Sequence, residues 1–268
     1  MSYFSNKVVV VTGGSDGIGK ALVQLLLQEG AKVATCGRNH DKLYQLQTEH
    51  SYQPLHVFAA DVSKESDCEN FITSVIETFG RIDIMINNAG LSMRALLIDL
   101  DMATLRQLMD VNFWGTVYCT RFALAEIIKS KGSVVGILSV AAFRGLPGRT
   151  GYSASKFAVN GFLEALRTEV MSMGVNVMWI FPGFVSSNIR NVALNNEAKP
   201  QGKTPMNEDA MMTPQQCAMH ILKAIKNRRR SLVLTNLAKR TLFMNRFFPS
   251  LADKLIRRFY FKNGGLVK

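Results

Sequence analysis

Metal-ligand spacing, disulfide patterning and long apolar runs are all missing from this 268-residue chain. Its four cysteines, Cys36, Cys68, Cys119 and Cys217, form no C-x-x-C pair, and no His/Cys cluster has zinc spacing. Neither a disulfide framework nor a bound metal is expected, and reduced, buried thiols in a cytoplasmic protein are the simplest reading. No run approaches the roughly 18 apolar residues that span a bilayer. Residues 1–6 are short and polar, and a strand-like run follows at once, so no secretory leader is expected. Charge is scarce as well. Charged residues make up 19% of the chain against 47% hydrophobic, which excludes a disordered polymer. Acids are nearly absent from one place: residues 223–268 hold only Asp253 against 13 Lys/Arg. The first 222 residues balance 19 of each sign, so the net charge of +12 resides in a basic tail.

What is present is a regular alternation. Short apolar runs at 7–12, 32–36, 55–59, 82–86, 133–138, 175–181 and 231–234 read as strands. Stretches of helical character lie between them, at 21–29, from Asp41, from Ser63 to Gly80, and at 101–130, 152–173 and 215–226. Strands that alternate with helices and are apolar throughout predict an α/β fold. The expected architecture is a doubly wound parallel sheet of about seven strands, covered on both faces. A sheet domain is expected over 1–235, with a basic amphipathic helical extension over 236–268. The segment 186–213 is rich in Asn, Gly, Pro and Lys and weakly periodic, which suggests a lid over a binding site.

Thr12 to Gly19 reads T-G-G-S-D-G-I-G between the first strand and the first helix. Glycines there let the backbone turn tightly against a pyrophosphate, and the helix N-terminus presents free N–H groups to it. Gly13, Ser15, Asp16, Gly17, Ile18 and Gly19 are the candidate cofactor contacts. At the end of the second strand stand Cys36, Gly37, Arg38 and Asn39, with no acid to bind a ribose 2′-hydroxyl. Arg38 is suited to a 2′-phosphate, so NADP(H) is the expected cofactor. Asp16 runs against that expectation, being an acid near the phosphates.

The glycine element resembles that of the short-chain dehydrogenase/reductase family. Five more family elements follow in order and spacing: Asn87-Asn88-Ala89-Gly90, Asn112, Ser139, the Y-x-x-x-K of Tyr152 and Lys156, and Pro182-Gly183. Together they cover residues 7 to about 190. The resemblance implies a Rossmann-type sheet and hydride transfer between a nicotinamide and a carbonyl or alcohol. It makes Asn112, Ser139, Tyr152 and Lys156 catalytic. Lys156 would also hold the nicotinamide ribose, and Asn112 a water that relays protons. Asn88, Ala89, Gly90, Pro182, Gly183, Val185 and Ser187 become cofactor contacts. Asp61 and Val62 match the adenine contact; Asp61 can equally cap a helix, and both can hold. Independently of the family, Tyr152 and Lys156 share a helix face at i and i+4. A phenol of pKa about 10 is a poor acid–base group near neutrality, and a nearby ammonium is expected to lower it. Ser139 is expected to hydrogen-bond the reacting oxygen.

The stretch between Ser139 and Tyr152 offers an apolar wall of Phe143, Leu146 and Pro147, with Arg144 and Arg149. Met93, Leu96, Leu97, Phe184, Val185 and Ile189 can extend it. Such a wall suits a hydrophobic, steroid- or lipid-like ketone or alcohol. Within the family the chain most resembles the branch of hydroxysteroid dehydrogenases, lipid keto-reductases and member 7-type dehydrogenase/reductases, with some likeness to 3-ketosphinganine reductases. An NAD-linked alcohol dehydrogenase and a non-catalytic cofactor sensor are the alternatives. Dimers or tetramers are the family habit. In the tail, Phe248, Leu251, Leu255 and Phe259 follow helical spacing, with Arg246, Lys254, Arg257 and Arg258 mainly off the stripe. It can lie on an anionic membrane surface, pack on a partner subunit or the substrate mouth, or remain a solvated terminal helix. Nucleic acid is the least favoured partner, because the stripe is apolar.

Overall fold

The protein is described by a computed structural model that covers residues 2–202, 204 and 211–267. Seven strands form one parallel sheet: β1 (Val8–Thr12), β2 (Lys32–Gly37), β3 (Leu55–Ala59), β4 (Ile84–Asn87), β5 (Ser133–Ile137), β6 (Asn176–Phe181) and β7 (Ser231–Val233). They lie in the order β3-β2-β1-β4-β5-β6-β7. The apolar runs of the sequence follow from burial on both faces. Val8 and Val10 point into one core and Val9 and Val11 into the other. Helices α1 (Gly17–Gln28), α2 (His40–Glu49) and α7 (Pro214–Lys226) cover one face through Leu22, Leu26, Leu46 and Ile221. Helices α3 (Glu65–Phe79), α5 (Gly115–Lys129) and α6 (Thr150–Val170) cover the other through Phe71, Ile127 and Leu163, with α4 (Met102–Met109) against α6. All four cysteines are buried, each on a packed element.

The strand order reverses between β1 and β4, because the chain builds outward to β3 and then returns across β1. Ligand crevices in such sheets open at this point, outside the carboxyl ends of the strands. Gly13 and Gly17 hold positive φ values of 68° and 51° there, a conformation that side chains resist. Asp16 caps α1 by accepting from the Gly17 N–H.

Three local expectations change. The stretch at 101–130 is not one regular helix: a π-helical turn, Asp110–Trp114, interrupts it and carries Asn112. The expected helical extension is two helices, α8 (Asn236–Phe247) and α9 (Pro249–Tyr260), and does not end as helix. Pro249 forces the break, since it can begin a helix but cannot donate to a preceding turn. A hairpin follows, β8 (Phe261–Lys262) and β9 (Gly265–Leu266), turning through Asn263 and Gly264 at positive φ. In the segment 186–213, a short 3-10 turn (Asn188–Arg190) and isolated bridges Val185–Met212 and Met93–Leu194 are present. Residues 203 and 205–210 of that expected lid lie outside the described residues. Among the described residues, no helix is long and apolar enough to cross a membrane.

Candidate active site

A cavity of about 660 Å³ opens over the carboxyl ends of the strands. At one end it is lined by Gly13, Ser15, Asp16, Gly17, Ile18, Arg38, Asp61 and Val62. Asn88, Ala89, Gly90, Ser139, Tyr152, Lys156, Pro182, Gly183, Val185 and Ser187 line its middle. Two expected site residues, Gly19 and Asn112, are not in its wall.

Gly19 acts from behind. A Cβ there would sit 2.2 Å from the Gly13 carbonyl oxygen and 2.5 Å from Asn88 Nδ2. That close approach lets Asn88 Nδ2 donate to the Thr12 and Gly13 carbonyls at 2.9 and 3.2 Å. Thr12 Oγ1 in turn accepts from the Asn88 and Ala89 N–H groups at 3.0 Å each. The glycine loop and the Asn-Asn-Ala-Gly turn are thus one hydrogen-bonded unit. Gly14, which the sequence did not single out, is equally constrained. Its Cβ would fall 2.1 Å from Thr35 Oγ1, which accepts from the Gly14 N–H.

At the β2 end, Arg38 lines the cavity with Asn39 and with Lys42, a cation the sequence reading passed over. Lys42 lies one turn into α2 and pairs with Asp16 at 2.5 Å. Burial pushes the Asp16 carboxyl up. The hydrogen bond and charge of Lys42, the Gly17 N–H and Asn188 outweigh it, so Asp16 stays below the usual carboxylate range. The acid that argued against a phosphate is therefore offset by Lys42. Asp61 is not the helix cap: α3 is capped at Lys64, without a side-chain hydrogen bond, and Asp61 closes the turn before it. It lines the cavity, 3.9 Å from Arg38, and accepts from the Ser63 N–H and hydroxyl.

Tyr152 and Lys156 lie in the first turns of α6, and both are buried. Burial raises the Tyr152 phenol; a hydrogen bond with Ser139 and the charge of Arg149 pull it back. The expected counterweight, Lys156, is engaged elsewhere. Its Nζ donates to the Ile137 carbonyl at 3.0 Å and sits 5.9 Å from the Tyr152 ring centre. Burial lowers its own pKa to about 8. Asn112 is also committed. Its Oδ1 accepts from the Leu91 N–H at 2.7 Å, and its Nδ2 donates to the Leu91 carbonyl and to Ser155 Oγ. Both amide hydrogens are spent on tying the turn after β4 to α6. This gives the side chain a positioning geometry.

The substrate end differs from expectation in its lining. Leu146, Arg149, Phe184, Val185 and Ile189 are in the wall; Phe143, Arg144, Pro147, Met93, Leu96 and Leu97 are not. Phe143 packs instead on Phe181, and Met93 is buried in the core. The missing wall comes from the tail: Leu237, Ala238, Thr241 and Tyr260 line the cavity. Arg144 holds that tail in place, donating to Asn245 of α8 at 2.9 Å and pairing with Asp253 of α9. Arg94 donates to the Leu266 carbonyl, and the Leu266 side chain covers Gly148. Of the readings offered for the tail, the one that covers the substrate mouth is realised. Local periodicity could not reveal this, because the pairings span about a hundred residues and more.

Residues 7–198 match the family model described as short chain dehydrogenase. The chain belongs to the short-chain dehydrogenase/reductase family. Among curated members of the family, it is 30% identical to dehydrogenase/reductase SDR family member 7B of Xenopus laevis, over 96% of this chain and 84% of the relative. It is 33% identical to 11-beta-hydroxysteroid dehydrogenase A of Arachis hypogaea, over 96% and 76%. A short-chain dehydrogenase/reductase from Burkholderia phymatum, solved with NAD, superposes with a TM-score of 0.83 at 20% identity, covering 94% of this chain and 96% of that one. This short-chain dehydrogenase is accordingly an oxidoreductase of CH–OH groups with a nicotinamide cofactor. The cavity fits such a cofactor: Gly13 and Gly17, at positive φ, form part of its floor, the α1 N-terminus opens on it, and a basic pair stands at the β2 end.

Proposed function

We propose that this short-chain dehydrogenase reduces a ketone on a hydrophobic, steroid- or lipid-like molecule, or oxidises the matching alcohol, with NADP(H). The observation that carries the reading is the Tyr152–Ser139 pair, a buried phenol and a half-buried hydroxyl that face a cavity whose far wall is largely apolar. The bound nicotinamide supplies or accepts the hydride. Tyr152 gives its proton to the carbonyl oxygen in reduction, and Ser139 donates a hydrogen bond to the same oxygen as charge develops. Lys156, on the Ile137 carbonyl, is placed to hold a ribose hydroxyl and to resupply the Tyr152 proton. Asn112 positions the turn that carries Gly90 and Leu91. Arg38 and Lys42 bind the 2′-phosphate.

The tail supports two further parts of the proposal. Leu242, Phe243, Phe247, Leu251 and Leu255 are exposed on α8 and α9 beside Lys239, Arg240, Arg246 and Lys254. Apolar side chains ringed by cations suit an anionic lipid surface, and the same helices roof the substrate mouth, so a lipid-borne substrate has a short route in. The protein is then cytoplasmic and peripheral to a membrane. Exposed Trp114 and Phe157, on the neighbouring segments that hold α5 and α6, support a homo-oligomer, with a second copy as occupant of that face.

The test is cofactor oxidation with a panel of steroid, sphingoid and long-chain acyl ketones, run with NADPH and NADH. Turnover of one class with NADPH preferred at least tenfold is expected. Preference for NADH would overturn the Arg38–Lys42 argument, and no turnover in either direction would favour the non-catalytic alternative.

A further inference from the structure

The substrate end of the cavity holds a cation to which the chemistry above assigns no contact with the substrate. Arg149 stands immediately before α6, three residues and so about one helical turn from Tyr152, and lines the cavity. Its guanidinium is fixed. Nη1 donates to Ser92 Oγ at 3.0 Å and reaches the Met93 carbonyl at 3.4 Å, and the side chain hydrogen-bonds Tyr260. Among the described residues, no carboxylate pairs with it. The only acids in the described cavity wall, Asp16 and Asp61, lie at the cofactor end beside Lys42 and Arg38. Its charge is felt by another cation. Arg94 is near enough that Arg149, after burial, helps hold its pKa below the usual guanidinium value, and Arg94 Nε is buried with no hydrogen-bond partner among the described residues.

Two half-buried guanidiniums that feel each other's charge, with no acid paired to either among the described residues, are costly to hold, and an anion entering the cavity relieves that cost. The planar fork of Arg matches a carboxylate or phosphate with two parallel hydrogen bonds. A guanidinium carries five N–H donors, so the three contacts of Arg149 leave others to serve a ligand. Leu146, Val111 and Leu237 in the same wall offer apolar surface for a chain.

We propose that Arg149 docks an anionic group, a carboxylate or a phosphate, carried by the substrate close to its reacting carbonyl. This rests on the carbonyl-reductase reading of the cavity and narrows it: the substrate is an amphiphile whose charged head lies at Arg149 and whose tail runs under α8. The two anions share one chemistry here, and the probes separate them. Dissociation constants are measured by calorimetry, on enzyme saturated with NADP+, for a keto-decanoate, the keto-decyl phosphate and the uncharged decanone, with the ketone at the same carbon in each. The wild type is expected to bind one of the anions at least tenfold more tightly than the decanone. R149Q is expected to bring that ratio near one, and R149K to keep part of it. The basic tail is the same in all three proteins, so its attraction cancels in the comparison. A ratio near one in the wild type, or an unchanged ratio in R149Q, overturns the proposal; R149K and the wild-type ratio decide it if R149Q does not fold. NADPH oxidation with the same three compounds is scored separately. Anion preference without turnover counts against the reductase reading and leaves the Arg149 site standing.

Discussion

Tyr152 gains its environment from three side chains that sit at different distances in sequence. Ser139 and Arg149 oppose the upward push of burial, while Lys156 is turned to the Ile137 carbonyl. Replacing the hydroxyl alone isolates the proton transfer. Y152F is expected to lose about 10²–10⁴ in turnover while its affinity for NADPH, read by fluorescence titration, changes little. Lys156 shows the opposite trade. Burial brings its pKa from 10.5 to about 8, so below pH 8 the fold carries a buried charge. Between those two values the unfolded chain holds a proton that the folded one has released, and stability rises with pH across that window. K156M is therefore expected to be inactive yet about 2–3 kcal/mol more stable than the wild type at neutral pH. The advantage should shrink as pH climbs from 8 to 10.5 in urea unfolding series. An advantage that stays constant with pH would show that the charge is not its source.

At the scale of elements, the proposed catalytic side chains depend on two ties. The first joins the glycine loop to the turn after β4 through Thr12 and Asn88, and the second joins that turn to α6 through Asn112 and Ser155. The roof over the substrate end has its own fastening. Arg144 bridges the loop before α6 to both α8 and α9, and Asn245 Nδ2 returns a hydrogen bond to the Phe143 carbonyl at 2.8 Å. R144A should loosen the tail without touching Tyr152. The expected result is faster proteolysis between β7 and α9 and a KM for ketone raised several-fold, with the KM for NADPH nearly unchanged. Equal proteolysis of variant and wild type would mean that apolar packing alone seats the tail.

Across the whole molecule, the charge is divided: residues 1–222 are neutral and the excess of +12 lies in the last 46 residues, from the end of α7 through the tail. Those residues roof the cavity on one side and expose Phe243, Phe247 and Leu255 on the other. If lipid is the occupant, flotation with anionic vesicles should recover the protein at low salt and lose most of it at high salt, since screening shortens the reach of each cation. F247S should weaken the binding even at low salt. Retention that is independent of both salt and lipid charge would rule out the electrostatic part of this proposal.

Much of this was legible one segment at a time. Seven apolar runs, a glycine turn between the first strand and helix, and a Tyr and Lys four apart on one helix are local patterns. Their geometry follows from backbone periodicity, so the sheet and the central residues of the site could be read from residues 7 to about 190. Other features came from partners far away in the chain. The side-chain amide of Asn112 is consumed by Leu91 and Ser155, and Lys156 is drawn to a strand carbonyl 19 residues before it. Arg94 meets Leu266 across 172 residues, and Arg144 meets Asn245 across 101. The sequence by itself determined the sheet and the family, with its nicotinamide-dependent oxidoreductase class, because short-range propensity and motif spacing specify them. Only the tertiary structure decided what walls the substrate end, because packing alone brings a distant basic tail over Arg149 and Tyr152.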